Sequence, residues 1–149
     1  MPADVVLGVA GVLEGAGVRY WISGGWGVDA LVGRATRTHH DLDLAVDAEH
    51  LDLAVRLLTD LGYAEWFSAE DPDESLGSYT AFQDNEVAGR VIDVHPAHLP
   101  HERLEFATGA IEGQDVPCMS ATWQIESHSG YRPRRHHRAD LGLLRTLGG

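Results

Sequence analysis

The chain has 149 residues, and its 23 acidic residues outnumber 11 basic residues, all arginine, to give a formal charge of −12. This length is typical of one domain, and 44% hydrophobic with 23% charged residues excludes a disordered chain. No apolar run reaches membrane-spanning length, the first residues lack a basic leader, and the lone Cys118 excludes a disulfide framework. We therefore expect a cytoplasmic protein that does not bind a membrane.

The charge is unevenly distributed along the chain. Residues 1–130 carry 22 acids and 6 arginines, whereas residues 131–149 carry 5 arginines and one acid. Nucleic-acid binding depends on basic residues that neutralise phosphates, so this acidic body excludes extended nucleic-acid contacts. It is compatible with a cationic or neutral small substrate, or with a role in solubility alone.

Hydrophobic periodicity and turn residues predict a mixed β-sheet flanked by helices. The predicted elements are helices over 4–15, 26–32 and 48–61, strands over 18–22, 41–46, 63–67, 79–83 and 91–95, a hairpin over 106–116, and helices over 120–128 and 134–147. Asp47 and Ser120 are expected to cap helices, because their side-chain oxygens accept from free amides. With no repeat or linker in the sequence, we expect a single α+β domain.

Paired carboxylates are the first candidate functional feature. Residues two apart in a strand share a face at a separation of about 6.6 Å, so Asp41 and Asp43 should lie side by side. They repel unless a proton or cation lies between them, and magnesium prefers oxygen ligands. Asp93, on another predicted strand, could supply a third carboxylate. An Asp-x-Asp pair by itself is more typical of a solvated strand face, and the third strand acid is what favours a metal site.

A glycine turn precedes the carboxylates by sixteen residues. Ser23-Gly24-Gly25 stands between a predicted strand and a predicted helix. Glycines let backbone amides approach a phosphate, and a helix N-terminus adds about half a positive charge. A tight turn without a ligand would use the same residues, but a glycine turn, paired carboxylates and a third acid together indicate magnesium-dependent nucleotidyl transfer.

Two stretches of the sequence resemble the signature of antibiotic nucleotidyltransferases in the polymerase-β superfamily. They are Trp21-Ile22-Ser23-Gly24-Gly25-Trp26-Gly27-Val28-Asp29-Ala30-Leu31 and Arg37-Thr38-His39-His40-Asp41-Leu42-Asp43. The resemblance is in particular to the small lincosamide nucleotidyltransferases and the aminoglycoside 2''-nucleotidyltransferases. It extends to the strand that carries their third acid, here residues 91–96, and to their C-terminal part.

The resemblance implies a nucleotidyltransferase fold, with residues 1–100 as the catalytic core and 101–149 as a C-terminal extension packed on it. It implies magnesium-dependent transfer of AMP from ATP to a hydroxyl of a small lincosamide- or aminoglycoside-like molecule. Asp41 and Asp43 would bind one or two Mg²⁺ ions. Asp93 would be the general base for the acceptor hydroxyl or a third metal ligand.

The same resemblance assigns five residues to the nucleotide. Ser23 and the amides around Gly24 and Gly25 would hold the phosphates, and Arg37 and His39 match family positions near the triphosphate. Because the chain has no lysine, positive contacts to the triphosphate must come from arginine, histidine, Mg²⁺ or amides. The expected partners are a nucleoside triphosphate and a small acceptor, and a homodimer is one way to complete the cleft of so small a domain.

Several positions depart from the family pattern and leave an alternative open. They are Thr122, Arg132, the Arg134–Arg138 segment, and Tyr79 or Thr80 on the strand before the third acid. The alternative is a nucleotidyltransferase-like scaffold that binds or converts a small molecule in a biosynthetic pathway without nucleotide transfer. A component that adenylylates protein or RNA would need a larger recognition surface.

Histidines and tryptophans give weaker signals. The nine histidines show no spacing that is diagnostic of zinc, although His95, two residues after Asp93, could face the same cleft. Trp26 follows the glycine turn and is expected to shape the site, whereas Trp21 and Trp123 are expected to be core residues.

Overall fold

The computed structural model describes residues 1–70, 78–100 and 104–129, so the predicted helix over 134–147 and the arginine-rich segment lie outside the described residues. The elements are α1 (Ala3–Gly15), β1 (Tyr20–Ser23), α2 (Gly24–Val32), β2 (Asp41–Asp47), a 3₁₀ turn (Ala48–His50), α3 (Leu51–Asp60), β3 (Tyr63–Glu70), β4 (Ser78–Asp84), β5 (Val91–Ala97), β6 (Phe106–Ile111), β7 (Gln114–Met119) and α4 (Ala121–Ser129). In this part of the chain, no helix combines the length and the apolar character that crossing a membrane requires.

All seven strands belong to one mixed sheet in the order β3-β4-β5-β2-β1-β7-β6. The β2–β5 and β1–β7 pairs are parallel, and the other four pairs are antiparallel. The predicted α+β class is confirmed. The hairpin β6–β7 extends this same sheet through the contact of β7 with β1, so the first and last of these strands along the sequence are neighbours.

The two faces of the sheet differ because side chains alternate along each strand. Leu42, Leu44 and Val46 of β2 enter the main core, where they pack with residues of α1, α2 and α3. Burying each such side chain stabilises the fold by about 1.5–3 kcal/mol. The opposite face carries a small apolar cluster that includes Ala45 and Trp123. On β2 that second face also carries Asp41 and Asp43.

Two predicted helix caps are found, one of them on a different element. Ser120 Oγ accepts from the amide of Trp123 at 3.0 Å, as expected for the cap of α4. Asp47 Oδ1 accepts from the amide of Glu49 at 3.0 Å, but it caps a 3₁₀ turn, and α3 begins only at Leu51. The buried Asp47 also pairs with Arg19, which ties its carboxylate to the end of the sheet.

Trp21 is a correction to the predicted core. Tyr20 and Ile22 enter the main core, so Trp21 between them must face the other side of β1. There it is only partly buried and stacks on Phe106, with ring centroids 3.9 Å apart and 13° between the planes. Trp123, by contrast, is buried as predicted.

Cys118 offers a direct test of core packing. It is fully buried on β7, and burial raises the pKa of its thiol to about 11. Because only the thiolate reacts readily, iodoacetamide at about pH 8 should label Cys118 in guanidinium but leave the folded protein unmodified over the same time. Mass spectrometry measures the labelling, and equal rates in the folded and unfolded protein would contradict this packing.

Candidate active site

Three of the predicted site residues lie in one row across neighbouring strands. Ser23 on β1 pairs with Asp43 on β2, and Asp43 pairs with Asp93 on β5. Paired strands are about 4.8 Å apart, so the hydroxyl and two carboxylates line the same face in close succession. Asp41 lies two residues before Asp43 on that face. The sheet therefore brings together the three acids that the sequence analysis singled out.

The carboxylates repel one another. Partial burial, and then the negative charge of Asp43, raise the pKa of Asp41, while His40 and the N-terminal amino group oppose this shift. A carboxylate whose pKa is raised by a like-charged neighbour gains from a cation placed between the two. The repulsion between Asp41 and Asp43 thus favours a positively charged ligand between these two carboxylates.

The glycine turn presents the start of α2 directly to Asp43. Gly24 has a φ of +62°, and an added Cβ there would lie 2.3 Å from Asp43 Oδ2. The helix begins at Gly24 rather than at the predicted Trp26. Its first amides lie beside the carboxylates because no side chain separates them. A helix N-terminus of this kind favours anions such as phosphate.

His39 and Arg37 lie against the second glycine of this turn. An added Cβ at Gly25 would be 2.4 Å from His39 Nδ1 and 2.8 Å from Arg37 Nη2. His39 is only 3% exposed, whereas Arg37 is partly exposed. The predicted phosphate-site residues thus form two layers, with the His39 ring beneath the surface and the arginine nearer to solvent.

Asp29 is a buried acid that the sequence analysis did not single out. Its carboxylate accepts from His39 Nε2 at 2.6 Å, from Thr36 Oγ1 at 2.5 Å and from the Thr36 amide at 3.2 Å. Burial raises its pKa, but the hydrogen bonds from His39 and Thr36 outweigh burial, so the pKa of Asp29 is lowered. The sequence gives one sign that Asp29 is buried and has partners, since this acid stands between the apolar residues Val28 and Ala30.

His95 faces the cleft, as expected, but its partner is Asp43. The ring is 2% exposed, and its Nε2 lies 3.4 Å from Asp43 Oδ1. The other side of the ring contacts Tyr79, with centroids 5.4 Å apart. His95 therefore contacts Asp43, the central carboxylate of the row, from the buried side of the site.

The carboxylate oxygens of Asp41 and Asp43 are suited to a hard divalent cation that also binds the phosphates of a ligand. Among the residues that the structure describes, no three Asp, Glu, His or Cys side chains converge into a complete set of metal ligands. Asp41 and Asp43 supply oxygen atoms and an unbalanced negative charge. Magnesium commonly binds one or two protein carboxylates together with substrate phosphates, and phosphates are the ligands that the adjoining helix N-terminus favours.

Solved structures place this architecture among nucleotidyltransferase folds. The lincomycin-bound lincosamide adenylyltransferase LnuA matches with a TM-score of 0.81 at 23% identity, over 99% of this chain and 98% of that chain. ANT(2'')-Ia in complex with adenylyl-2''-tobramycin matches with a TM-score of 0.78 at 22% identity, over 99% of this chain and 89% of that chain.

The family follows from the sequence as well. The aminoglycoside-2''-adenylyltransferase family model matches residues 5–104 and 101–144, so the chain belongs to this family and is a nucleotidyltransferase. A lincosamide resistance protein of Staphylococcus haemolyticus is 29% identical over 138 residues, 87% of this chain and 86% of that protein. A 2''-aminoglycoside nucleotidyltransferase of Escherichia coli is 35% identical over 108 residues, 67% of this chain but only 57% of that protein.

Proposed function

We propose that the protein transfers AMP from ATP to a hydroxyl group of a small sugar-containing antibiotic, with Mg²⁺ held at Asp41 and Asp43. The observation that carries this proposal is the Ser23, Asp43 and Asp93 row at the N-terminus of α2. An anion-binding helix end, paired oxygen ligands and a further carboxylate are the parts that phosphoryl transfer requires. Lincomycin and adenylyl-2''-tobramycin, present in two similar structures, support a small antibiotic as the acceptor.

In this proposal, different residues of the site bind the nucleotide and activate the acceptor. The first amides of α2, with Ser23 and Arg37, bind and orient the triphosphate. Asp93 takes the proton of the acceptor hydroxyl as its oxygen bonds to the α-phosphorus, and the bond from that phosphorus to the β-phosphate oxygen breaks to release pyrophosphate. When bound, Mg²⁺ would neutralise the negative charge that develops on the phosphate oxygens. The protein positions the reactants, so no covalent intermediate with a side chain is needed.

Asp93 suits the role of base because of its place in the sheet. It lies one strand beyond Asp43, on the side away from Ser23 and the start of α2. An in-line displacement needs the attacking and leaving oxygens on opposite sides of the phosphorus. The row provides this separation, with phosphate-binding groups at one end and a carboxylate at the other.

Pyrophosphate release tests the proposal directly. The protein is incubated with ATP, Mg²⁺ and either lincomycin or tobramycin, and adenylylated product is identified by mass spectrometry. We expect an antibiotic-dependent product that disappears when Mg²⁺ is chelated. If ATP·Mg²⁺ does not bind and no pyrophosphate forms with any lincosamide or aminoglycoside, the proposal is wrong and the scaffold without nucleotide transfer becomes the better reading.

A further inference from the structure

A buried hydrogen-bonded contact connects the second half of α2 with the loop between α2 and β2. Asp29, 2% exposed, accepts three hydrogen bonds from Thr36 and His39 of this loop. Hydrogen bonds to a charged group are stronger than neutral ones, and a buried donor left without its acceptor is costly. The loop is therefore fixed to α2 at two points.

These two points flank Arg37. Thr36 immediately precedes this arginine, and His39 follows it by two residues. The His39 ring, with Nε2 held by Asp29, has its Nδ1 edge against Gly25 and packs on Trp26 at a centroid distance of 5.1 Å. The Arg37 guanidinium lies against the same glycine. Through Thr36 and His39, Asp29 thus holds the backbone on both sides of Arg37, whose guanidinium lies beside the first turn of α2.

We infer that Asp29 is a positioning residue for the nucleoside triphosphate, because through Thr36 and His39 it fixes Arg37 at the N-terminus of α2. This inference rests on the proposed function, since it concerns the nucleotide side of the same site. It predicts that loosening the loop weakens binding of the triphosphate and leaves binding of the acceptor unchanged. A contact that served only the stability of the fold would affect both substrates alike.

The partners of Asp29 are the better positions to change, because removing Asp29 itself would leave three donors without their acceptor at once. His39→Leu should weaken binding of α,β-methylene-ATP with Mg²⁺ about tenfold in calorimetry, with the KM for the acceptor unchanged. His39→Gln keeps an amide donor in reach of Asp29 and should recover most of the affinity. Thr36→Val, which removes one donor, should have a smaller effect.

A double-mutant cycle tests whether the effect passes through Arg37. Arg37→Ala alone should weaken the nucleotide at least as much as His39→Leu, and adding His39→Leu to Arg37→Ala should weaken it little further. Thr59→Val is the matched control for Thr36→Val, since Thr59 donates to the Val55 carbonyl on the exposed side of α3. Melting temperatures show that each variant is folded.

The outcomes separate this inference from the proposed function. If the wild-type protein does not bind the nucleotide, both fail together. If the wild-type protein binds it and His39→Leu binds equally well, only the inference fails. It also fails if the effects of Arg37→Ala and His39→Leu multiply, or if the acceptor KM rises in parallel with the nucleotide dissociation constant.

Discussion

Asp43→Asn is expected to lower nucleotidyl transfer by about a thousandfold or more, because in the proposed mechanism this carboxylate holds Mg²⁺ and its loss removes several kcal/mol of transition-state stabilisation. The fold should be retained, since the substitution keeps the shape of the side chain and relieves repulsion from Asp41. Asp93→Asn should cost about 10²–10⁴-fold if Asp93 acts as the general base. Turnover is measured as antibiotic-dependent pyrophosphate release.

A control and an independent readout sharpen this prediction. Asp60→Asn makes the same chemical change at an exposed residue at the end of α3, and it should leave the rate unchanged. The negative charge of Asp43 contributes to the raised pKa of Asp41, so Asp43→Asn should lower that pKa toward its ordinary value, as measured by NMR titration. A folded Asp43→Asn protein with the wild-type rate would remove this carboxylate from the mechanism.

Gly24→Ala is expected to lower turnover strongly for a steric reason. The added methyl group would lie 2.3 Å from Asp43 Oδ2 and 3.0 Å from its Cγ, so the central carboxylate or the start of α2 must move. A φ of +62° adds backbone strain, and we expect a loss of stability of about 1–3 kcal/mol. The rate should fall at least about 100-fold, since a displacement of about 1 Å at a reacting centre has that effect.

Gly62→Ala is the control for this prediction, because it adds backbone strain without displacing any residue of the site. Gly62 has a φ of +97°, and no atom lies within 4 Å of an added Cβ. This variant should lose comparable stability in a thermal melt yet keep its rate at a temperature where both variants are folded. If Gly24→Ala is as active as Gly62→Ala, the first turn of α2 has no role in catalysis.

Local pattern predicted the strands of the site and the shared face of its acids. Alternation placed Leu42 and Leu44 in the core and Asp41 and Asp43 on the other face, as the structure confirms. The same reasoning placed Asp93 on a strand, but only the parallel pairing of β2 with β5 makes it the neighbour of Asp43. Pairing over fifty residues follows from the packing of the whole sheet, which spacing along the sequence does not encode.

What spacing could not predict is the contact between α2 and the loop that follows it. Asp29 lies within the stretch that resembles the family signature, but neither periodicity nor that resemblance assigned it a role. Its role depends on the path of the loop that returns Thr36 and His39 to the helix. Likewise, His95 was expected to face the same cleft as Asp93, but its contact with Asp43 depends on the pairing of β5 with β2, which spacing along the sequence does not encode.

The parallel pairing of β2 with β5 has a consequence for synthesis of the chain on the ribosome. Asp43 emerges long before Asp93, because β3 and β4 are synthesised between β2 and its second neighbour β5. Until then one side of β2 is an unpaired strand edge, which favours association with other chains. Completing the carboxylate row and protecting the nascent chain from aggregation are therefore the same folding event.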